Sequence, residues 1–382
     1  MKGGQFFLIP ESPADLDRLR LESAPLDGAT RPAWLDRADR DYYRYLGRFS
    51  SRNLGHRDRK QFLAEIQNLE AAGLLLEPDR CDPEVRHLYI RARPDYPNWS
   101  IGIYAGDAPF NLNPAPEAAS PVLTRDNVTD VPAALVADPF MVRTERGWFM
   151  FFEVLNWVTN KGEIAFATSG DGLNWSYQRV VLAEPFHLSY PYVFESTGHH
   201  YMIPESLQSG EVRLYRAENF PDRWVFCATL LRGEFVDPSL FFHHGRAWIL
   251  AGTGNGSHDT LRLFGSTSLT GQWVEHPSSP VVRGDARAAR PAGRVLPWEG
   301  GFLRFSQNCQ SAYGEQVRGF QMTELTETAY SEQEIEGNPI LGPGGAGWNA
   351  RGMHHIDAHP LAADQWLACV DGWTEELAGG GK

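Results

Sequence analysis

ADPFMVRTERGWFMFFE, residues 137–153, has the outline of a hairpin. Asp138 and Pro139 lead an apolar run, Arg143–Gly147 supplies a turn, and a second run of apolar and aromatic residues ends on Glu153. The first strand is expected to begin on Asp138. The same design recurs as SYPYVFESTGHHYMIPE (189–205), VDPSLFFHHGRAWILAG (236–252) and ARPAGRVLPWEGGFLRFSQ (289–307). A degenerate copy, HHIDAHPLAADQWLACVDG (354–372), places Ile356 where the others carry proline. Pro139, Pro191, Pro238 and Pro291 are 52, 47 and 53 residues apart.

Each full copy continues into a third strand: EIAFATS (163–169), EVRLYRA (211–217), TLRLFGS (260–266) and QVRGFQM (316–322). A turn follows, often with a tryptophan (DGLNW, FPDRW, LTGQW), and then a fourth strand. Five units of about 50 residues, each of four strands, describe a five-bladed β-propeller. The last unit stops after two strands. WSIGIYAGD (99–107) has the third-strand pattern and PVLTRDN (121–127) is expected as the fourth. N-terminal strands that complete the last blade leave no open sheet edge.

Residues 1–95 follow a different grammar. HRDRKQFLAEIQNLEAAGLLLEPD (56–79) puts Phe62, Ile66 and Leu69 on one helical face, with Gly73 as the stop. The expected organisation is therefore mainly β: a small α-rich domain over 1–95, the propeller over 96–376 and a flexible tail over 377–382. The helix followed by an extended segment resembles the end of a winged-helix fold, and a plain helical cap is the alternative. A net charge of −13 on 382 residues opposes general nucleic-acid binding. Cys81, Cys227, Cys309 and Cys369 form no CxxC, and no apolar run reaches 18 residues. The start has too short an apolar run for a signal peptide, so a cytoplasmic protein without membrane or nucleic-acid partners is expected.

In a propeller the first strand of each blade lines the central channel. The residues opening those strands, Asp138, Tyr190, Asp237, Arg290 and the His354–Asp357 cluster, are expected to converge on one mouth. A lone Asp-Pro is equally a strand-opening turn. Several ionisable groups aimed at one channel are costly unless they serve a purpose.

EPFHLSYPYVFE with YMIPES (184–206), NWSIGIY, ADPF, KGEIAFATSGDGLNW and ARPAG resemble the N-terminal propeller domain of glucosamine inositolphosphorylceramide transferases and their bacterial relatives. The likeness runs through most of 97–373. More distantly, the design is similar to five-bladed glycosidases of the arabinanase, xylosidase and invertase kind. That likeness implies a carboxylate base or nucleophile on the first strand of the first blade, which is Asp138 here. Tyr190 stands where the glycosidases have a supporting aspartate, and Asp237 where they have a glutamate. Glu205 remains as a candidate acid. In the transferases, sugar transfer is attributed to a separate domain, so the resemblance speaks for fold more than for reaction.

From chemistry alone, cleaving or transferring a glycoside needs two carboxyl groups of unlike pKa about 5–10 Å apart. Asp138 with Glu205 or Asp237 could serve. Tyr190, Arg290, Arg304, Gln307 and His187 are the expected substrate contacts, the arginines holding a carboxylate or phosphate. HHIDAH alternates so that His355, Asp357 and His359 share a strand face. His355 and Asp357, with His187, are the candidate ligands for a channel metal, either calcium or a His-ligated divalent ion. SGDGLNW (169–175) reads as a structural Asp-box turn, and Tyr313-Gly314 as a stretch that reaches the mouth in the fourth blade. The leading expectation is a glycan-acting enzyme, hydrolase or transglycosylase. Its alternatives are a tailoring enzyme acting on a peptide or metabolite recruited by the N-terminal domain, and a non-catalytic carbohydrate-binding propeller.

Overall fold

The structure is a computed structural model that describes residues 96–157, 159–254 and 256–375, together with the backbone of 43–50 and 85–91. In the N-terminal region β1 (Tyr43–Ser50) and β2 (Val85–Arg91) pair antiparallel. The helix expected over 56–73 and the tail over 377–382 lie outside the described residues.

The rest is a five-bladed β-propeller. β3 (Asn98–Ala108) and β4 (Asn111–Pro114) come first and are held over for closure. The first blade comprises β5 (Ala133–Thr144), β6 (Gly147–Asn156), β7 (Lys161–Ser169) and β8 (Ser176–Leu182). The second is β9 (Ser189–Ser196), β10 (His199–Glu205), β11 (Glu211–Asn219) and β12 (Arg223–Arg232). In the third, β13 (Phe235–His243), β14 (Arg246–Thr253) and β15 (Thr260–Ser266) carry a split outer edge, β16 (Val274–Glu275) and β17 (Val282–Arg283). The fourth has β18 (Leu296–Trp298), β19 (Gly301–Asn308), β20 (Gln316–Leu325) and β21 (Tyr330–Glu334). β22 (Ile356–Ala362) and β23 (Gln365–Thr374) then pair with β3 and β4 to form the fifth blade. Burial falls outward: β5 and β6 are buried almost throughout, whereas β8 is largely exposed or half-buried. Inner strands covered on both faces account for their unbroken apolar runs.

Closure follows the expected third strand, with β23 paired to β3 from Trp366–Gly106 to Thr374–Asn98. The expected fourth strand is corrected. The chain reverses at once into β4, and 121–127 contributes one bridge, Ile101–Leu123, and a short 3-10 turn. Gly106 makes the tight reversal possible, because a Cβ there would lie 1.9 Å from the Asn111 carbonyl oxygen.

The proline repeat also needs correction. Asp138 does not open its strand; β5 begins at Ala133, and Asp138 sits within it at a bulge. Ala137 faces Glu153 but Phe140 faces Phe151, so β5 carries one extra residue. Ser189–Glu205 against Tyr192–Ile203, and Val236–Gly252 against Ser239–Leu250, repeat the same irregularity. Asp138, Tyr190 and Asp237 all adopt left-handed backbone, with φ of 54°, 45° and 50°. Each precedes a proline, a position where such backbone is disfavoured, and such strain costs about 1–3 kcal/mol per residue. Proline suits a bulge because it has no N–H to leave unpaired. The repeat therefore encodes a side-chain-turning bulge at the channel wall.

Polar cross-links fill the channel below that ring. Arg294 donates through Nε to Asp357 Oδ1 (2.7 Å) and through Nη2 to the Val193 carbonyl (3.0 Å). Asp357 Oδ2 also accepts from Met141 N–H (2.6 Å) and meets His359 Nε2 (2.8 Å). The Tyr190 hydroxyl accepts from Gly293 N–H (2.6 Å) and meets Ser239 Oγ (2.8 Å). Blades one, two, four and five are tied by the first set, and two, three and four by the second.

Candidate active site

Five carboxyl groups gather at the mouth above these cross-links: Asp138 and Asp237 from the bulges, and Glu153, Glu205 and Asp371 from the second strands facing them. Their mutual influence is visible in Glu153, whose carboxyl is driven well above the usual carboxylate range by burial and by Asp138, Glu205, Asp237 and Asp371. Two cations oppose them. Arg290 donates through Nε to Asp237 (2.5 Å) and lies 3.6 Å from Glu205. His354 meets Asp371 Oδ1 through Nδ1 (2.8 Å) and lies 3.7 Å from Asp138 through Nε2.

Environment sorts the five. Asp237 is sealed, receives Arg290 and Gln307 Nε2 (2.8 Å), and is held below its ordinary pKa by Arg290 despite the opposing effect of burial. Glu205 is its opposite: burial and then Asp237 push it well above the carboxylate range. Asp237 N–H donates to Glu205 Oε2 (3.3 Å), and the opposed directions mark Glu205 as the side chain that holds a proton more tightly. Burial drives Asp138 up to about 7, with His354 pulling it back down. Asp371 stays below its usual value, since His354 outweighs the cost of burial there. His354 is held above its ordinary pKa because Asp371 overcomes burial. Asp371, His354 and Asp138 thus form a chain in which an imidazole with a raised pKa stands between two acids.

Side-chain exposure completes the sorting. Asp138, Glu205 and Glu153 keep 8%, 9% and 10%, whereas Asp237 keeps 2% and Asp371 none. Only the first three can touch a ligand directly.

The other expected site residues are placed as follows. Gln307 is at the mouth but buried, spanning Asp237 and the Pro291 carbonyl. His187 accepts from Gly162 N–H on Nδ1 (2.9 Å), so its Nε2–H faces Glu153 (3.3 Å). Burial lowers its pKa to about 4, leaving it neutral. The hydroxyl of Tyr190 points down the channel to Ser239 and Gly293, not into the mouth. Arg304 lies within the fourth blade against Glu332 and the Ala288 carbonyl. Arg290 has Asp237 on Nε and Nη2 and His258 on Nη1 (3.1 Å), so no fork remains for a substrate carboxylate or phosphate.

The three expected metal ligands do not come together. Asp357 is committed to Arg294, and His187 to Gly162 and Glu153. His355 is fully buried beside Asp138 (3.8 Å), and neither ring nitrogen has a partner. Among the described residues, one acid and histidine group has ligand atoms within 4.8 Å of one another: Asp138, His354 and Asp371. In this trio both ring nitrogens of His354 are directed at carboxyl groups, Nδ1 at Asp371 and Nε2 at Asp138.

The profile of the family described as "Glucosamine inositolphosphorylceramide transferase 1, N-terminal" matches residues 93–373. The chain belongs to this family. Glucosamine inositolphosphorylceramide transferase 1 of Oryza sativa subsp. japonica is 35% identical over 296 residues, 72% of this chain and 40% of that protein. The protein of the same name from Arabidopsis thaliana is 32% identical over 296 residues, 72% of this chain and 39% of its own length. This member of the family thus spans about two-fifths of the curated relatives it matches. Among solved structures, the catalytic domain of Coprinopsis cinerea GH62 α-L-arabinofuranosidase superposes with a TM-score of 0.50 at 16% identity. That match covers 64% of this chain and 86% of the other, and it is a likeness of fold. Among the described residues no helix is long and apolar enough to cross a membrane.

In this family member, Glu153 and Asp371 are the mouth acids absent from the sequence-based site, and His354, expected at the mouth within the His354–Asp357 cluster, has no role assigned there. A signal for the two acids exists: the second strand carries an acid at or near its far end in FFE, IPE and VDG, at Glu153, Glu205 and Asp371. The SGDGLNW turn is structural as expected, with Asp171 accepting from Leu173 and Asn174 N–H (2.8 Å each).

Proposed function

We propose that the acidic mouth binds a glycan and acts at a glycosidic bond, with Asp138 as base or nucleophile and Glu205 as acid. Such chemistry needs one protonated and one ionised carboxyl group. The observation that carries the reading is the divergence within the cluster: Glu205 keeps its proton beside an ionised Asp237. Asp138, at about 7, has the pKa that serves a base near neutrality. His354 favours its ionised form from 3.7 Å. Asp237 acts as a positioning residue that orients Glu205 and Arg290, and Glu153 is a second proton-bearing group at the rim. A His-ligated divalent channel cation would be held by Asp138 and one unpartnered ring nitrogen of His355, where it would offset carboxylate charge.

The test incubates wild type, Asp138→Asn and Glu205→Gln with a panel of oligosaccharides and aryl glycosides and reads products by mass spectrometry. Each variant is expected to lose about 10²–10⁴-fold in rate while retaining affinity. Full activity in Asp138→Asn would remove the mechanism. A second reading, a carbohydrate-binding propeller without chemistry, is favoured by the burial of the cluster, in which the most accessible carboxyl keeps only 10% exposure. Sugar binding by wild type with no turnover of any panel member would select it.

A further inference from the structure

The loop between β19 and β20 places one aromatic side chain at the mouth that nothing above uses. Tyr313 is 44% exposed, unusual for a large aromatic residue among the described residues. It is nevertheless fixed among the acidic groups. The Arg290 guanidinium lies 5.0 Å from its centroid, the His354 ring meets it edge-on at 5.4 Å, and His258 lies at 5.8 Å. Arg290, Asp138, Asp237 and Glu205 are its charged neighbours. One side chain is thus held among the charged groups of the mouth and still partly open to solvent.

Its neighbour explains the rigidity. Gly314 has a φ of 68°, and a Cβ there would come within 2.7 Å of Trp99. Trp373 Nε1–H donates to the Gly314 carbonyl (3.3 Å), and a Cβ on Gly352 would lie 2.2 Å from that same oxygen. The fourth-blade loop is therefore pinned to the fifth blade at a point where only glycine fits, one residue from Tyr313. A pinned aromatic face loses little freedom on binding, which favours it as a platform.

The neighbouring groups define what such a platform would receive. His258 takes the Arg290 Nη1–H on Nδ1, so its neutral ring carries the proton on Nε2 as a donor. Arg290 already spends its Nε/Nη2 fork on Asp237 and an Nη1–H on His258, so the fork that would grip a carboxylate is occupied. With Asp237 matched by Arg290 and Asp371 by His354, the mouth has no surplus cation to draw an anionic ligand, whereas an uncharged ring with one apolar face and several hydroxyls meets an aromatic surface, a donor and acceptors.

We propose that Tyr313, His258 and Arg290 form a monosaccharide subsite, with Tyr313 as the platform for the apolar face of an uncharged pyranose held over Asp138 and Glu205. This subsite rests on the glycan reading of the mouth. Saturation-transfer NMR on the full chain tests it, using methyl glycosides of glucose, galactose and mannose, with glucuronate as the anionic control. At least one methyl glycoside is expected to bind wild type and glucuronate to fail. Tyr313→Ala is expected to weaken binding about tenfold or more, with Tyr313→Trp within about threefold of wild type. Binding unchanged in Tyr313→Ala overturns the platform and leaves the glycan reading standing, and glucuronate binding as well as glucose overturns the charge selection. If no glycoside binds wild type, the glycan reading falls and the subsite with it.

Discussion

Two buried arginine–aspartate pairs, four residues apart in sequence at their arginines, line the same channel and have opposite surroundings. Arg294 and Asp357 are nearly self-sufficient: Asp357 accepts from Arg294, Met141 and His359, and its carboxyl is held far below its usual range against the opposing effect of burial. Arg290 and Asp237 sit beneath a crowd in which Asp138, Glu153 and Glu205 are all pushed upward. The first pair closes the channel toward a cavity of about 510 Å³ lined by Tyr192, Phe194, Phe241 and Phe242. The second leaves carboxyl groups that must hold protons to coexist. Charge balance marks structure and charge surplus marks chemistry, because an unbalanced buried cluster persists only where something is gained from it.

The largest expected effect lies on the balanced side. Arg294→Met should cost about 3–5 kcal/mol in urea denaturation, because Asp357 is left buried without its counter-charge. A loss below about 1 kcal/mol would break the contrast. On the unbalanced side the sign reverses with pH. The folded pKa of Glu205 lies well above its ordinary 4.5, so its contribution to stability is fully present below that value. It is lost as pH rises through the folded pKa, since the folded state then holds a proton that the unfolded state has released. Glu205→Gln should therefore gain on wild type by up to about 1.4 kcal/mol per pH unit above 4.5, measured by urea melts from pH 4 to 8. A flat difference across that range would show that Glu205 is ionised in the fold.

Much of this was legible before any coordinates. Pro139, Pro191, Pro238 and Pro291 mark the blades, and 99–107 supplies the strand that closes the ring. The direction of side chains was less legible. Asp138 and Tyr190 share a bulge position, yet the short acid stays in the mouth while the tyrosine reaches Gly293. Arg304 and Gln307 are three residues apart on β19 and so lie on opposite faces, which period-two alternation could have shown. His355 lies just before β22 and Asp357 within it, and two residues of extended chain separate them by about 6–7 Å. That is far enough for Arg294 to claim Asp357 and leave His355 beside Asp138. Asp371 and His354 needed the fold, since their pairing depends on how the last blade turns its first strand.

Tyr190→Phe gives the smallest effect and the sharpest division between the two halves. The hydroxyl accepts from Gly293 N–H and meets Ser239 below the mouth, so its removal leaves a buried amide without its acceptor. A loss of about 1–2 kcal/mol is expected in urea denaturation. The mouth should not register the change, because Asp138 is reached by the Tyr190 backbone N–H (3.3 Å), which phenylalanine keeps. Sugar binding and turnover are therefore expected within about twofold of wild type, in contrast to the losses in Asp138→Asn and Glu205→Gln. Unchanged stability with lost turnover would place the Tyr190 hydroxyl in the chemistry and move the boundary between the structural and reactive halves down to Gly293.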